Sequence, residues 1–130
     1  MVTTNIELAE RPRCVLALRP APTEVGVARR VLRAALRERE QPHLADDACL
    51  IAGELVTNAV EHAGRIALVA HRTSKHRLTL EVWDDNPVPP AFEEASPDSL
   101  GGRGLLIVGT LASAWGWRPA YGGKVVWAAL

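Results

Sequence analysis

The order of hydrophobic periodicities along the chain constrains its fold more than any other feature. From Thr23, the apolar residues Val25, Ala28, Val31, Leu32, Ala35 and Leu36 recur at helical spacing. From about Leu44 to Ala63, Ala48, Ile51, Leu55, Val56 and Ala59 do the same. The period then changes to two: Ile66, Leu68 and Ala70 alternate within residues 65–72, and Leu78, Leu80 and Val82 within 78–84. A helix pair followed by a hairpin has to bury two apolar stripes against one sheet face. A strand at 14–18, a short buried helix over 104–113, and strands at 114–118 and 125–130 turning around Tyr121, Gly122 and Gly123 complete the pattern. The expected fold is an α+β two-layer sandwich with helices on one face of a mixed, largely antiparallel sheet.

With 130 residues, 48% of them hydrophobic and 23% charged, the chain has the size and balance of a single globular domain, assigned here to residues 14–130. Residues 1–13 are polar and without periodicity, and are expected to form a flexible N-terminal arm. Residues 85–103 hold four prolines and no clear period, which marks a lid. Fifteen basic residues balance fifteen acidic ones, so the electrostatic attraction behind most nucleic-acid and anionic-membrane binding is missing, and neither is expected as a partner. The arginines 29, 30, 33, 37 and 39 are read as the solvated face of the first helix in preference to a dock for an acidic partner. Cys14 and Cys49 do not combine with the four histidines into a zinc spacing, and both are expected as free thiols. No stretch approaches 18 uninterrupted apolar residues and the opening residues lack a secretory pattern, so a cytoplasmic location is expected.

Three groups of residues carry chemical potential. Glu54, Asn58 and Glu61 recur at spacings of four and three, so they line one stripe of the second helix beside its apolar stripe. Such a stripe is most often only the wet side of an amphipathic helix, but an Asn oxygen also suits a hard cation and a nearby carboxylate suits proton abstraction. The alternation of Leu78, Leu80 and Val82 carries Asp84 to the covered face of its strand. A carboxylate there needs a donor: the exocyclic amine of a base, an Arg and a backbone N–H all qualify. Gly101, Gly102, Arg103 and Gly104 lead into a helix, whose free N–H groups and dipole suit phosphates, although hinge glycines in a plain loop look the same. The segment fits neither the dinucleotide fingerprint nor the P-loop. Trp83, Trp115, Trp117 and Trp127 are placed on strands, with Trp83 pointing away from the helices.

Taken in order, ELVTNAVEHA (Glu54–Ala63), VWDDN (Val82–Asn86) and GGRGLLIV (Gly101–Val108) resemble the three nucleotide-binding boxes of the GHKL ATPase superfamily of gyrase, heat-shock chaperone, histidine kinase and mismatch-repair ATPases. The likeness runs from about residue 20 to the end and is nearest to the small bacterial anti-sigma factors that are also serine kinases. It implies the Bergerat-type ATP-binding fold, with ATP and Mg²⁺ as cofactors. By resemblance, Asn58 would hold Mg²⁺ against the phosphates, Glu54 would be the general base, and Ala59 would leave room beside the nucleotide. Asp84 would bind the adenine amine, while Gly102, Arg103, Gly104 and Leu105 would form the phosphate-side segment at which the lid closes. The sequence departs from the family pattern at Asn86, where many relatives have Gly, and at Lys124, where many have Thr.

The resemblance implies an ATP-dependent protein serine kinase acting on an anti-sigma antagonist protein, with a sigma factor as a second partner and a homodimer as its form. The competing expectation is a nucleotide-gated binding module that sequesters a regulator without chemistry.

Overall fold

The computed structural model describes residues 2–8, 11–38, 44–74, 77–90 and 102–130. Its elements are β1 (Val2–Leu8), β2 (Arg11–Leu18), α1 (Thr23–Glu38), α2 (Ala45–His62), β3 (Ile66–Ser74), β4 (Arg77–Asp84), α3 (Gly102–Leu111), β5 (Ala114–Ala120) and β6 (Gly123–Ala129). The strands form one sheet in the order β1-β2-β3-β4-β6-β5, and every neighbouring pair is antiparallel. The parallel component allowed for by a mixed sheet is absent among the described strands. The chain leaves β4, passes through α3 to the edge strand β5, and turns back so that β6 lies antiparallel between β5 and β4.

The core lies between the three helices and one sheet face. Leu16 and Leu18 of β2, Ile66, Leu68 and Ala70 of β3, Leu78, Leu80 and Val82 of β4, and Val126 and Ala128 of β6 all point to it. Ala28, Leu32 and Leu36 of α1, Ala48, Ile51, Leu55, Val56 and Ala59 of α2, and Leu105 and Val108 of α3 close it from the other side. These are the stripes that the helical and alternating periodicities predict. Cys14 and Cys49 are buried and not joined in a disulfide, and the Cys49 thiol donates to the Arg29 carbonyl at 3.5 Å between α2 and α1.

Within the expected arm, residues 2–8 and 11–13 are strand. Val2–Leu8 form β1, which pairs with β2 from Val2↔Leu16 to Leu8↔Arg11, and β2 itself begins at Arg11. The segment is rich in β-branched Val2, Thr3, Thr4 and Ile6, and Val2, Thr4, Ile6 and Leu8 alternate with the polar Thr3, Asn5 and Glu7, the period-two pattern of a strand. Thr23 is the first helical residue of α1, and Glu24 secures the entry, accepting from Arg19 N and Nε, both at 3.2 Å. At the end of α2 the chain turns extended at Ala63 (φ −131°, ψ 161°), and Gly64 after it does not enter the left-handed region. The β5–β6 turn is as expected: Tyr121 (φ 49°) and Gly122 (φ 77°) both have positive φ, the requirement of a type I′ hairpin. The expected lid residues 91–101 lie outside the described residues, and no helix among those described is long and apolar enough to cross a membrane.

Candidate functional site

The alternation of β4 delivers Asp84 to the helix side at the strand's C-terminal end, where the residue is 3% exposed. Its cross-strand neighbours are Ile66 on β3 and Lys124 on β6. Lys124 is on the inward side for the same reason as Val126 and Ala128, and is 5% exposed. The two side chains meet: Lys124 Nζ lies 3.0 Å from Asp84 Oδ1 and also donates to the Asn86 carbonyl at 2.9 Å. Asn86 N–H donates to the same Asp84 Oδ1 at 2.8 Å, closing a ring of three hydrogen bonds. Asp84 Oδ2 takes no donor from any described residue. A buried carboxylate oxygen without a partner is costly, and a ligand amine is one group that would satisfy it.

Two backbone features bring these residues together. Gly123 lets β6 approach β4 closely, since a Cβ there would overlap the Asp84 carbonyl oxygen and lie 2.8 Å from its carbon and 2.9 Å from Asp85 Cα. Gly64 N–H donates to Asp85 Oδ1 at 2.9 Å, and Asp85 N–H donates to the Arg65 carbonyl at 3.2 Å. The Asp85 carboxyl is held below its ordinary value by the Gly64 N–H first, then by the Arg65 N–H. Asn86 Nδ2 donates to the His62 carbonyl at 2.9 Å, and Asn86 Oδ1 accepts from Val88 N–H at 3.0 Å. The segment Asp84-Asp85-Asn86 is thus fastened to the end of α2 by its second and third residues, while the first turns inward to Lys124. The side chain of Asn86 supplies an anchor to α2 that a glycine at this position would lack.

α2 packs on β3, β4 and α3. Glu54 and Asn58 are half-buried on this helix, one turn apart, and neither side chain makes a hydrogen bond or ion pair among the described residues. Ala59 is 3% exposed and beside them on the core side. Glu61 is exposed, 3.9 Å from the His62 ring. Gly102, Arg103 and Gly104 form the first turn of α3, so their N–H groups are among those an α-helix leaves without internal partners. Leu105 has its side chain in the core at 4% exposure, so it would meet a ligand through its backbone. Gly101 lies outside the described residues.

The arrangement suits a nucleotide. A hard cation would take its protein oxygen from Asn58 and the remainder from phosphates and water, in keeping with Mg²⁺. No cluster of three or more His, Cys, Asp or Glu side chains positioned for a metal occurs among the described residues. The partnership of Lys124 with Asp84 was not foreseen from the sequence. Extending the β6 alternation back from Val126 by one inward step reaches Lys124, which is the signal that would have found it.

Over residues 18–130 the chain matches the family model described as the histidine kinase-like ATPase domain. The chain belongs to this family and is an ATP-binding, ATPase-like module of its α+β fold. Among curated proteins, none matches it.

Proposed function

We propose that the chain is a regulatory serine kinase of the anti-sigma type, which transfers the γ-phosphate of ATP to a serine of an anti-sigma antagonist protein and holds a sigma factor in one nucleotide state. The observation that carries the nucleotide half is Asp84: a buried carboxylate with one oxygen fully engaged and the other open to a donor, the two residues after it fastened to the end of α2. The kinase half rests on Glu54, half-buried one helical turn before Asn58. Both halves lean on the likeness of the three boxes to those of the small anti-sigma kinases.

In this reading Asn58 holds Mg²⁺, which supplies charge neutralisation to the phosphates when bound. Glu54 accepts the serine hydroxyl proton as that oxygen bonds to phosphorus and the bond to the departing diphosphate oxygen breaks. The N–H groups of Gly102, Gly104 and Leu105 at the start of α3 receive phosphate oxygens. Phosphoryl transfer asks chiefly for positioning and electrostatic stabilisation, and the general base contributes about 10²- to 10⁴-fold.

The test is transfer of label from [γ-³²P]ATP with Mg²⁺ to antagonist proteins bearing an acceptor serine. Glu54→Gln is expected to lower transfer by about 10²-fold or more with nucleotide affinity retained. Undiminished transfer by that variant contradicts the role of Glu54. Nucleotide binding without transfer to any antagonist replaces the kinase with a nucleotide-gated binding module.

A further inference from the structure

The side chains of Asp84 and Lys124 are 4% and 7% exposed, and their inventory of hydrogen bonds is uneven. The ammonium group has three protons, of which one goes to Asp84 Oδ1 and one to the Asn86 carbonyl. The carboxylate has two oxygens, of which Oδ1 takes both Lys124 Nζ and Asn86 N–H. Among the described residues, one ammonium proton and the whole of Oδ2 are left over. A donor and an acceptor thus stand side by side, buried, at the end of β4 on the helix side of the sheet.

A carboxylate alone is an acceptor only. It takes the amine of a 6-aminopurine and repels the oxygen of a 6-oxopurine, which is discrimination by an unfavourable contact. An ammonium group fixed to the carboxylate changes that. A 6-oxopurine presents a carbonyl acceptor beside an N1–H donor; a 6-aminopurine presents an amine donor beside an N1 acceptor. Both edges offer one donor next to one acceptor, in opposite order, so each base takes its own pose: the spare Lys124 proton meets N1 of a 6-aminopurine or the carbonyl of a 6-oxopurine, while Oδ2 meets the amine of the first or the N1–H of the second.

We propose that Lys124 is a base-reading residue that admits 6-oxopurine nucleotides to this subsite alongside 6-aminopurine ones. This rests on the reading of Asp84 as the base-binding carboxylate. Asn86 belongs to the same device, because its carbonyl and N–H hold the ammonium and Oδ1 in fixed relation. The Lys124 ammonium also removes the net negative charge that would otherwise confront the carbonyl oxygen.

The experiment compares ATP with inosine triphosphate, which share sugar and phosphates and differ at the six-position edge, by calorimetric titration of the full chain in excess Mg²⁺. The dissociation constants are expected to lie within about tenfold of each other, against the 10⁴- to 10⁵-fold that a committed polar site achieves. Lys124→Thr is expected to weaken inosine triphosphate relative to ATP by about 30-fold or more, and Lys124→Arg, which keeps the cation, to leave the ratio near that of the parent. Because Lys124→Thr leaves a buried carboxylate less well paired, the parent's own ratio decides if that variant does not fold. ATP binding with a preference of more than about a hundredfold over inosine triphosphate overturns the role of Lys124 and leaves the nucleotide site standing. A ratio unchanged in folded Lys124→Thr overturns it as well. Failure of the folded parent to bind either nucleotide overturns this inference together with the site on which it rests.

Discussion

Lys124 Nζ lies 3.0 Å from Asp84 Oδ1, between residues directly opposite one another on β6 and β4. Position on the strand explains the encounter: both occupy inward sites of antiparallel neighbours, and each is tolerated in the core because the other is there. The same pair forms the floor of the candidate site, so the stability of the sheet end and the chemistry of the site share two residues.

Breaking this pair on one side is therefore costly. Lys124→Met leaves a buried carboxylate with the Asn86 N–H as its remaining described partner, and should lower unfolding stability by about 3–5 kcal/mol. The double variant Asp84→Asn/Lys124→Met should recover most of that loss, because no charge is then stranded. Urea unfolding of the three proteins measures both effects; equal losses in the single and double variants would show that the charge is not the cause.

Gly123→Ala tests the close approach of β6 to β4. The added Cβ meets the Asp84 carbonyl and Asp85 Cα, all of them backbone, so the strands must separate. A loss of at least about 2 kcal/mol is expected in the same assay, and a variant as stable as the parent would mean that the strands yield freely.

On the outer sheet face, Glu81 Oε1 accepts from Arg118 Nη2 at 3.2 Å and stands 3.6 Å from His71 Nε2. Its carboxyl is held below the ordinary 4.5, chiefly by the His71 imidazole facing it and then by Arg118, against a burial that pushes upward. A lowered folded value means that the stabilisation is present above the unfolded value and is lost as pH falls through the folded one. The stability advantage of the parent over Glu81→Gln should consequently shrink between about pH 5 and about pH 3. An advantage that is flat or grows on acidification in parallel denaturation curves would contradict the assignment.

Tyr121 is 94% exposed and holds a positive φ, an arrangement unfavourable to a bulky residue. Tyr121→Asn makes the turn Asn-Gly, the preferred pair for a type I′ hairpin, and is expected to stabilise the protein by about 0.5–1 kcal/mol. A lower thermal midpoint in that variant would indicate that the tyrosine contributes something the turn geometry does not reveal.

The legible parts of the fold were those written in apolar periodicity. All five core positions assigned to α2 are buried, and the alternation of β4 places Asp84 inward. β1 carries the same signal more faintly, since Val2, Thr4, Ile6 and Leu8 alternate with Thr3, Asn5 and Glu7, and the expected arm passes over it; the strand pairs through its backbone with β2. Lys124 was misplaced by a single residue: a strand begun at Val125 leaves a lysine in the turn. Its burial depends on Asp84, forty residues away in sequence, and only the register of β4 against β6 joins them. Gly64 shows the converse, since a glycine after a helix suggests a left-handed stop, whereas here it donates its N–H to Asp85.

In the proposed function, Asn58 of α2 and Asp84 of β4 serve one nucleotide site. Calorimetric titration of the parent chain with ATP, with and without Mg²⁺, tests it most directly when run beside Asn58→Ala, whose folding is checked by its thermal midpoint. The parent should bind ATP more tightly with Mg²⁺ than without it, and Asn58→Ala should remain folded yet lose that Mg²⁺ dependence. A folded parent that binds no ATP, or an Asn58→Ala variant that keeps the full Mg²⁺ effect, would contradict the account.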